Sequence, residues 1–260
     1  MFHRRIYQTF TVTAAAALVA FLVALPAQAE VTQDFHRTVS LPSNGRVSLE
    51  NVNGDVEITG WNRNEVQIDA VKKADDRQKL DAITIDVNAG SDSVDVQTKY
   101  PKHMFNNNNP GSVHYTLHIP QSARLDKVNL VNGALKLTKL SGEMKANLVN
   151  GTLTATQLGG AADLATVNGT LDADYTSFQN VREIKLQTVN GRCNLSLPRS
   201  ANADISANSV SGDISTDFPL TVKGQFVGKS LSGQLGSGGA KIQLNTVNGS
   251  IHIGPGRGTL

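Results

Sequence analysis

The chain has 260 residues, enough for one large or two small domains, with few aromatics and a second half dominated by Gly, Asn, Thr, Val and Leu. A formal net charge of +2 without a basic stripe argues against a nucleic-acid partner. Cys193 is the only cysteine, which excludes an intramolecular disulfide and leaves stability to packing and strand ladders.

Residues 1–29 are predicted to be a signal peptide. Arg4 and Arg5 precede an apolar run from Val12 to Leu25, and Pro26-Ala27-Gln28-Ala29 supplies small residues where a signal peptidase cuts. Cleavage after Ala29 would make Glu30 the first mature residue. The apolar run is shorter than the ~20 residues of a membrane span, and no cysteine follows it to carry a lipid. The mature chain is therefore expected to have no membrane span and to be exported, to the periplasm or the cell surface.

Residues 30–125 are expected to form an irregular β region. Phe35–Val39 and Arg46–Leu49 are short extended runs around the turn cluster Pro42-Ser43-Asn44-Gly45. Asn51 to Ile58 contains Val52-Asn53-Gly54, the first copy of a signature that recurs later. Val66, Ile68 and Ala70 alternate with polar residues as in a half-buried strand. The charged stretch Lys72–Ala82 suggests a short helix. Ile83 to Val87 and Val94 to Val96 suggest two more strands. Tyr100–Gly111, with Asn106 to Asn109 and Pro110, is expected to be a surface loop. Val113, Tyr115, Leu117 and Ile119 then alternate with His114, Thr116 and His118.

The segment 126–254 is a repeat. Val131-Asn132-Gly133, Leu140-Ser141-Gly142, Val149-Asn150-Gly151, Leu158-Gly159-Gly160 and Val167-Asn168-Gly169 return every nine positions. Val189-Asn190-Gly191, Val210-Ser211-Gly212, Leu231-Ser232-Gly233 and Val247-Asn248-Gly249 continue it at longer steps. The second and fourth residues after each glycine are mostly apolar (Leu135 and Leu137, Leu153 and Ala155, Ile251 and Ile253), and the first and third mostly polar. That is a period-two strand starting at a fixed distance from a turn. Two nine-residue halves could make one coil of a parallel β-solenoid, or each Asn-Gly could turn an antiparallel meander. The constant phase after every glycine, the lengthening to 22, 21 and 21 residues with the corner kept, and the lack of covering helices favour the solenoid. Six steps from Gly133 to Gly249 would make a rod of roughly 30 Å. Asn53, Asn132, Asn150, Asn168, Asn190 and Asn248, with Gly54, Gly133, Gly151, Gly169, Gly191, Gly212, Gly233 and Gly249, are predicted to superpose as a structural corner ladder, with Ser211 and Ser232 interrupting the amides. Residues 255–260 form a polar tail.

Leu41-Pro42 with Gly45, Val47 to Ile58, Gly60-Trp61-Asn62, Val66 to Lys73 and the Val-Asn-Gly or Val-Ser-Gly units to Gly249 together resemble an exported bacterial β-strand-repeat family of unknown function called adhesin-like, similar to the autotransporter adhesin head domain named GIN. The resemblance implies a periplasmic or surface-exposed β-solenoid and brings no catalytic residues. The membrane barrel that the word autotransporter implies has no counterpart in this sequence.

Side chains that could carry chemistry are scattered. His114 and His118 share a strand face but stand about 13 Å apart, too far to share an ion, and His103 has no spacing that demands its approach. Asp55, Glu143, Asp163, Asp172, Asp174 and Asp213 fall in mixed columns, as on an ordinary solvated face. Thr152, Thr154 and Thr156 do not continue as a threonine array on neighbouring coils. Cys193 occupies a buried position of its repeat. Trp61 is expected to pack beneath the adjacent loop. No catalytic, metal or cofactor residue is predicted. The expected function is a non-catalytic cell-envelope surface for adhesion or scaffolding, with an unidentified envelope protein or polysaccharide as partner and the oligomeric state open. The alternatives are a glycan-binding or glycan-cleaving β-helix and an envelope-stress accessory protein.

Overall fold

The computed structural model describes residues 30–101, 110–220, 222–224 and 228–256. The predicted signal peptide, His103, Asn106 to Asn109 and residues 257–260 lie outside the described residues.

The described residues are all-β apart from one short helix. Its first part contains β1 (Val31–Ser40), β2 (Arg46–Asn53), β3 (Val56–Trp61), β4 (Glu65–Ala74), α1 (Arg77–Ala82), β5 (Thr84–Ala89), β6 (Ser93–Lys99) and β7 (Ser112–Pro120). The repeat supplies β8 (Arg124–Asn132), β9 (Leu135–Thr138), β10 (Met144–Asn150), β11 (Leu153–Leu158), β12 (Ala162–Asn168), β13 (Leu171–Tyr175), β14 (Glu183–Asn190) and β15 (Cys193–Leu197). It ends with β16 (Ala203–Ser211), β17 (Ile214–Thr216), β18 (Val222–Gly224), β19 (Lys229–Leu235), β20 (Ala240–Asn248) and β21 (Ile251–Pro255).

Period-two patterning sets each strand. In β10, Met144, Ala146 and Leu148 are buried while Lys145, Asn147 and Val149 face outward. The helix is shorter than the charged stretch suggests. Lys72 to Ala74 stay in β4, where they pair with β1 and β7. Asp76 caps α1 by accepting from the Lys79 amide at 2.7 Å. At the other end the Lys72 ammonium donates to the carbonyls of Leu80 and Ile83.

The strands form two long sheets. One has eleven strands in the order β18-β19-β16-β20-β14-β12-β10-β8-β2-β6-β5, the other ten in the order β1-β4-β7-β3-β9-β11-β13-β15-β21-β17. The pairs β2/β3, β8/β9, β10/β11, β12/β13, β14/β15, β20/β21 and β16/β17 each cross from one sheet to the other at a Gly corner, and between these rungs every ladder is parallel. Antiparallel strands close both ends: β4 and β5 with β1 at one, β19 with β18 at the other. A single apolar cluster from Leu41 to Ile253 fills the space between the sheets. Both sheets cross position 125 unbroken, since β2 pairs with β8 in one and β3 with β9 in the other, and the Lys127 ammonium meets the Glu50 carboxylate. That hydrogen bond, outweighing partial burial, holds Glu50 below the usual carboxylate range.

Chain order and spatial order part at each end. β20/β21 lie between β14/β15 and β16/β17, so the rung that comes last in the chain is the last but one in space. At the other end β2/β3 lie between β6/β7 and β8/β9. The expected sixth step through Gly233 does not exist. Gly233 sits inside β19, opposite Ile205 of the antiparallel neighbour β16, and a side chain there would collide with Leu220 at 2.8 Å. It makes room for a leucine instead of turning a corner.

Rungs can lie flat only because the corners are glycine. Gly54, Gly133, Gly151, Gly169, Gly191 and Gly212 have φ between 111° and 146°. A Cβ on Gly169 would run into the Gly151 carbonyl. Gly169→Ala should lower unfolding stability by at least about 2 kcal/mol through backbone strain plus collision, measurable as a shifted denaturant midpoint. The interior beside these corners holds a second, unfavourable column. Thr166, Thr188 and Thr246 stack in register, are 2–4% exposed, and their Oγ1 atoms have no hydrogen-bond partner among the described residues. Thr188→Val keeps the shape and removes the buried hydroxyl, so it should raise stability by about 1 kcal/mol in the same measurement.

Candidate functional site

The corner edge is built from stacked amides. Asn132 Nδ2 donates to Asn53 Oδ1 at 2.8 Å, and the chain of bonds continues from Asn150 to Asn132 (2.9 Å), Asn168 to Asn150 (2.9 Å), Asn190 to Asn168 (2.8 Å) and Asn248 to Asn190 (3.0 Å). Insertion of β20 beside β14 places Asn248 directly on Asn190. Ser211 then falls beyond Asn248, past the end of the amides, and Ser232 lies within β19. Neither serine interrupts the run. At the first end Asn53 Nδ2 donates to the Gly111 carbonyl at 3.3 Å, whereas Asn132, Asn150, Asn168, Asn190 and Asn248 are exposed and each retains a second N–H and lone pair outside the run.

Next to this edge, on the outer face of the eleven-stranded sheet, lies a row of valines. Val131, Val149, Val167, Val189, Val210 and Val247 are 36–57% exposed. The residue before each is the buried one: Leu130, Leu148, Thr166, Thr188, Ser209 and Thr246. A second uncharged row flanks the valines on the other side, with Asn147 donating to Asn129 at 3.1 Å and Asn208 to Asn245 at 3.3 Å. Between valines and amides runs a shallow groove of about 430 Å³, lined by Val149, Val167, Val189, Val210 and Val247 opposite Asn147, Ala165, Gln187, Asn208 and Asn245. Sequence reasoning missed this surface. The signal was present in Met144-Lys145-Ala146-Asn147-Leu148-Val149, whose alternation puts Leu148 inward and Val149 outward.

The outer face of the ten-stranded sheet is polar. Asp172, Asn194, His252 and Ser215 share one row across β13, β15, β21 and β17. Asn194 donates to Asp172 at 2.6 Å. His252 bridges Ser215 (3.0 Å from Oγ to Nδ1) and Asp217 (3.4 Å from Nε2). This Ser-His-Asp contact was not anticipated, because β17 and β21 are far apart in sequence order. Ser215, on the edge strand β17, and Asp217 just after it are both exposed. The arrangement lacks the enclosed donors that acyl-transfer chemistry needs.

The remaining candidates are dispersed and engaged. His114 Nδ1 accepts from the Asp55 amide at 3.2 Å, whereas His118 lies 5.2 Å from the Trp61 ring, so the two histidines have separate partners. Asp55 Oδ1 accepts from the Ala134 amide at 2.8 Å, Glu143 pairs with Arg124, and Asp213 with Lys229. No group of three or more His, Cys, Asp or Glu among the described residues could hold a metal. Trp61 donates to the Glu65 carbonyl at 2.9 Å, with the Arg63 guanidinium 4.8 Å from its ring centroid and His118 also against it, which leaves little free face. Cys193 is buried, and burial with the nearby Asp172 charge pushes its thiol up to about 12. Thr156 meets Thr138 at 3.5 Å, while Lys136 stands opposite Thr154. No helix among the described residues is long and apolar enough to cross a membrane.

Several solved structures align with the chain. A proposed cell adhesion protein from Clostridium sporogenes aligns at 14% identity over 86% of this chain and 100% of that one, with a TM-score of 0.45. A proposed adhesin from Bacteroides fragilis aligns at 11% identity over 88% and 98%, with a TM-score of 0.34. A proposed lipid-binding protein from Parabacteroides distasonis aligns at 13% identity over 85% and 96%, with a TM-score of 0.31. No curated protein matches the chain. Residues 31–254 match the model of the Toastrack DUF4097 family, which spans nearly all of the strands described above. The glycine-cornered β-repeat protein therefore belongs to the Toastrack DUF4097 family.

Proposed function

We propose that the protein is an exported, non-catalytic component of the cell envelope whose β-solenoid presents an extended surface for adhesion or scaffolding. The observation that carries this reading is the stack of parallel rungs, which repeats an outward valine and a corner asparagine at most strand spacings of about 4.8 Å. Such a surface suits an elongated or repetitive partner, an envelope protein or a polysaccharide. Its ionisable groups are mostly spent on neighbours in the sheets. Residues 1–29 serve as the signal peptide in this reading, 30–125 and 126–254 act as the two parts of one rod, and the Asn-Gly corners are structural.

A glycan-binding role is the second reading, favoured by the polar depression of about 440 Å³ between Thr156, Asp172, Asp174, Asn194 and Ser196. Its amides, carboxylates and hydroxyls match the donors and acceptors of a sugar. Binding of purified protein to a panel of envelope polysaccharides distinguishes the two. The first reading expects no saturable binding that depends on Asp172 or Asp174, and Asp174→Asn abolishing such binding would favour the second.

Export is tested directly. Envelope fractions of the source cells should contain a form beginning at Glu30, identified by amino-terminal sequencing, and crosslinking in intact cells should trap an envelope partner. A full-length form confined to the cytoplasm would overturn the proposal.

A further inference from the structure

Among the described residues six large hydrophobic side chains are exposed, and every one is the valine of a Val-Asn-Gly or Val-Ser-Gly corner. They lie on the adjacent strands β8, β10, β12, β14, β20 and β16 in one row. At about 4.8 Å per strand the row is roughly 24 Å long. Exposed large apolar side chains gathered into one strip, with no others among the described residues, mark an interaction surface.

The flanks of the strip identify what fits it. On the corner side stand Asn132 to Asn248 and Ser211; on the other, Asn129, Asn147, Ala165, Gln187, Asn245 and Asn208. Neither flank contains a charge. The first charged row, with Lys127, Lys145, Asp163 and Lys185, begins a further strand position away from the corner. A lipid chain or membrane would cover the valines but leave both rows of amides facing hydrocarbon, at a cost for each unpaired group.

We propose that this strip is where a second copy of the chain packs, face to face, about a two-fold axis running along the valine row. An isologous interface has to be complementary to itself. That axis sets valine on valine and brings the corner asparagines of one copy over the Asn and Gln row of the other. Amides carry both donors and acceptors, so the flanks satisfy each other at every rung except β12, where Asn168 falls over Ala165. The lysines of each copy pass outside the corner of the other, and no like charges meet. Both copies share one rung spacing, so contacts match at every strand. The association needs only the folded chain and holds wherever the protein works, so its failure would leave the envelope reading standing.

Sedimentation equilibrium of the purified protein up to about 100 µM should show a monomer–dimer equilibrium. Val167→Lys with Val189→Lys should weaken association at least about ten-fold, because it places charges in the contact centre. Val167→Thr with Val189→Thr keeps strand propensity and should shift it in the same direction by less. Thr154→Lys, on the outer face of the other sheet, should leave it unchanged. Thermal melts of each variant separate lost association from lost folding. With Cys193 buried, a bis-maleimide should crosslink a Val189→Cys variant into dimers and leave a Thr154→Cys variant monomeric. A wild-type monomer throughout, a dimer indifferent to the lysines, a dimer crosslinked through position 154 alone, or a monomer whose valine row binds phosphatidylglycerol vesicles would each overturn the proposal.

Discussion

Close approach of backbone to backbone at the corner is the constraint on which this protein rests. Each rung turns from one sheet to the other through a glycine whose missing side chain leaves space for the carbonyl of the glycine below, as Gly169 does over Gly151 and Gly191 over Gly169. With the corners in contact, strands fall into parallel register, and Leu153, Leu171, Cys193 and Ile251 stack as one interior column. One rung buries only a few aliphatic side chains, each contributing roughly 1.5–3 kcal/mol, too little to offset the entropy of ordering its own chain. Stability belongs to the stack, and the corner is what permits stacking.

Much of this was legible in the amino-acid sequence. The fixed distance from glycine to Leu135 and Leu137, or to Ile251 and Ile253, announces strands with one buried face, and the constant phase favours parallel stacking over an antiparallel meander. Legibility ended where neighbours in space are not neighbours in the chain. Leu231-Ser232-Gly233 has the spelling of a corner, yet it lies in a strand that doubles back on β16, because a local triplet does not encode the direction of the next strand. The place of β20 between β14 and β16 was hidden for the same reason. It changes which asparagines touch, and it brings His252 beside Ser215.

Side-chain direction at the corner was the other blind point. The valine before Asn-Gly is hydrophobic and marks the repeat, whereas the buried position is the residue before it. At Thr166, Thr188 and Thr246 that inward residue is polar and the outward one apolar, the inverse of what burial favours. The inversion is confined to the eleven-stranded sheet beside the corner. The opposite face has ordinary polar columns, with Asp, Asn, Ser and His satisfied by their lateral neighbours. The two broad faces of the rod thus differ in chemistry although the same repeat generates both.

The exchanged rung order at the two extremities makes the array a bolted assembly instead of an open pile. In a simple pile the outermost layer can peel away and leave the remainder intact. Here the outermost pair at the carboxy end, β16/β17, rests on β20/β21, which is synthesised after it. Until Ile251 arrives between Cys193 and Ile214, β16/β17 has no parallel rung to lean on. A chain emerging in order from its amino terminus would thus hold the segment from Ala203 onward unfinished until the last strand is threaded home, and the long-range contacts that close the rod make its folding a late, cooperative event.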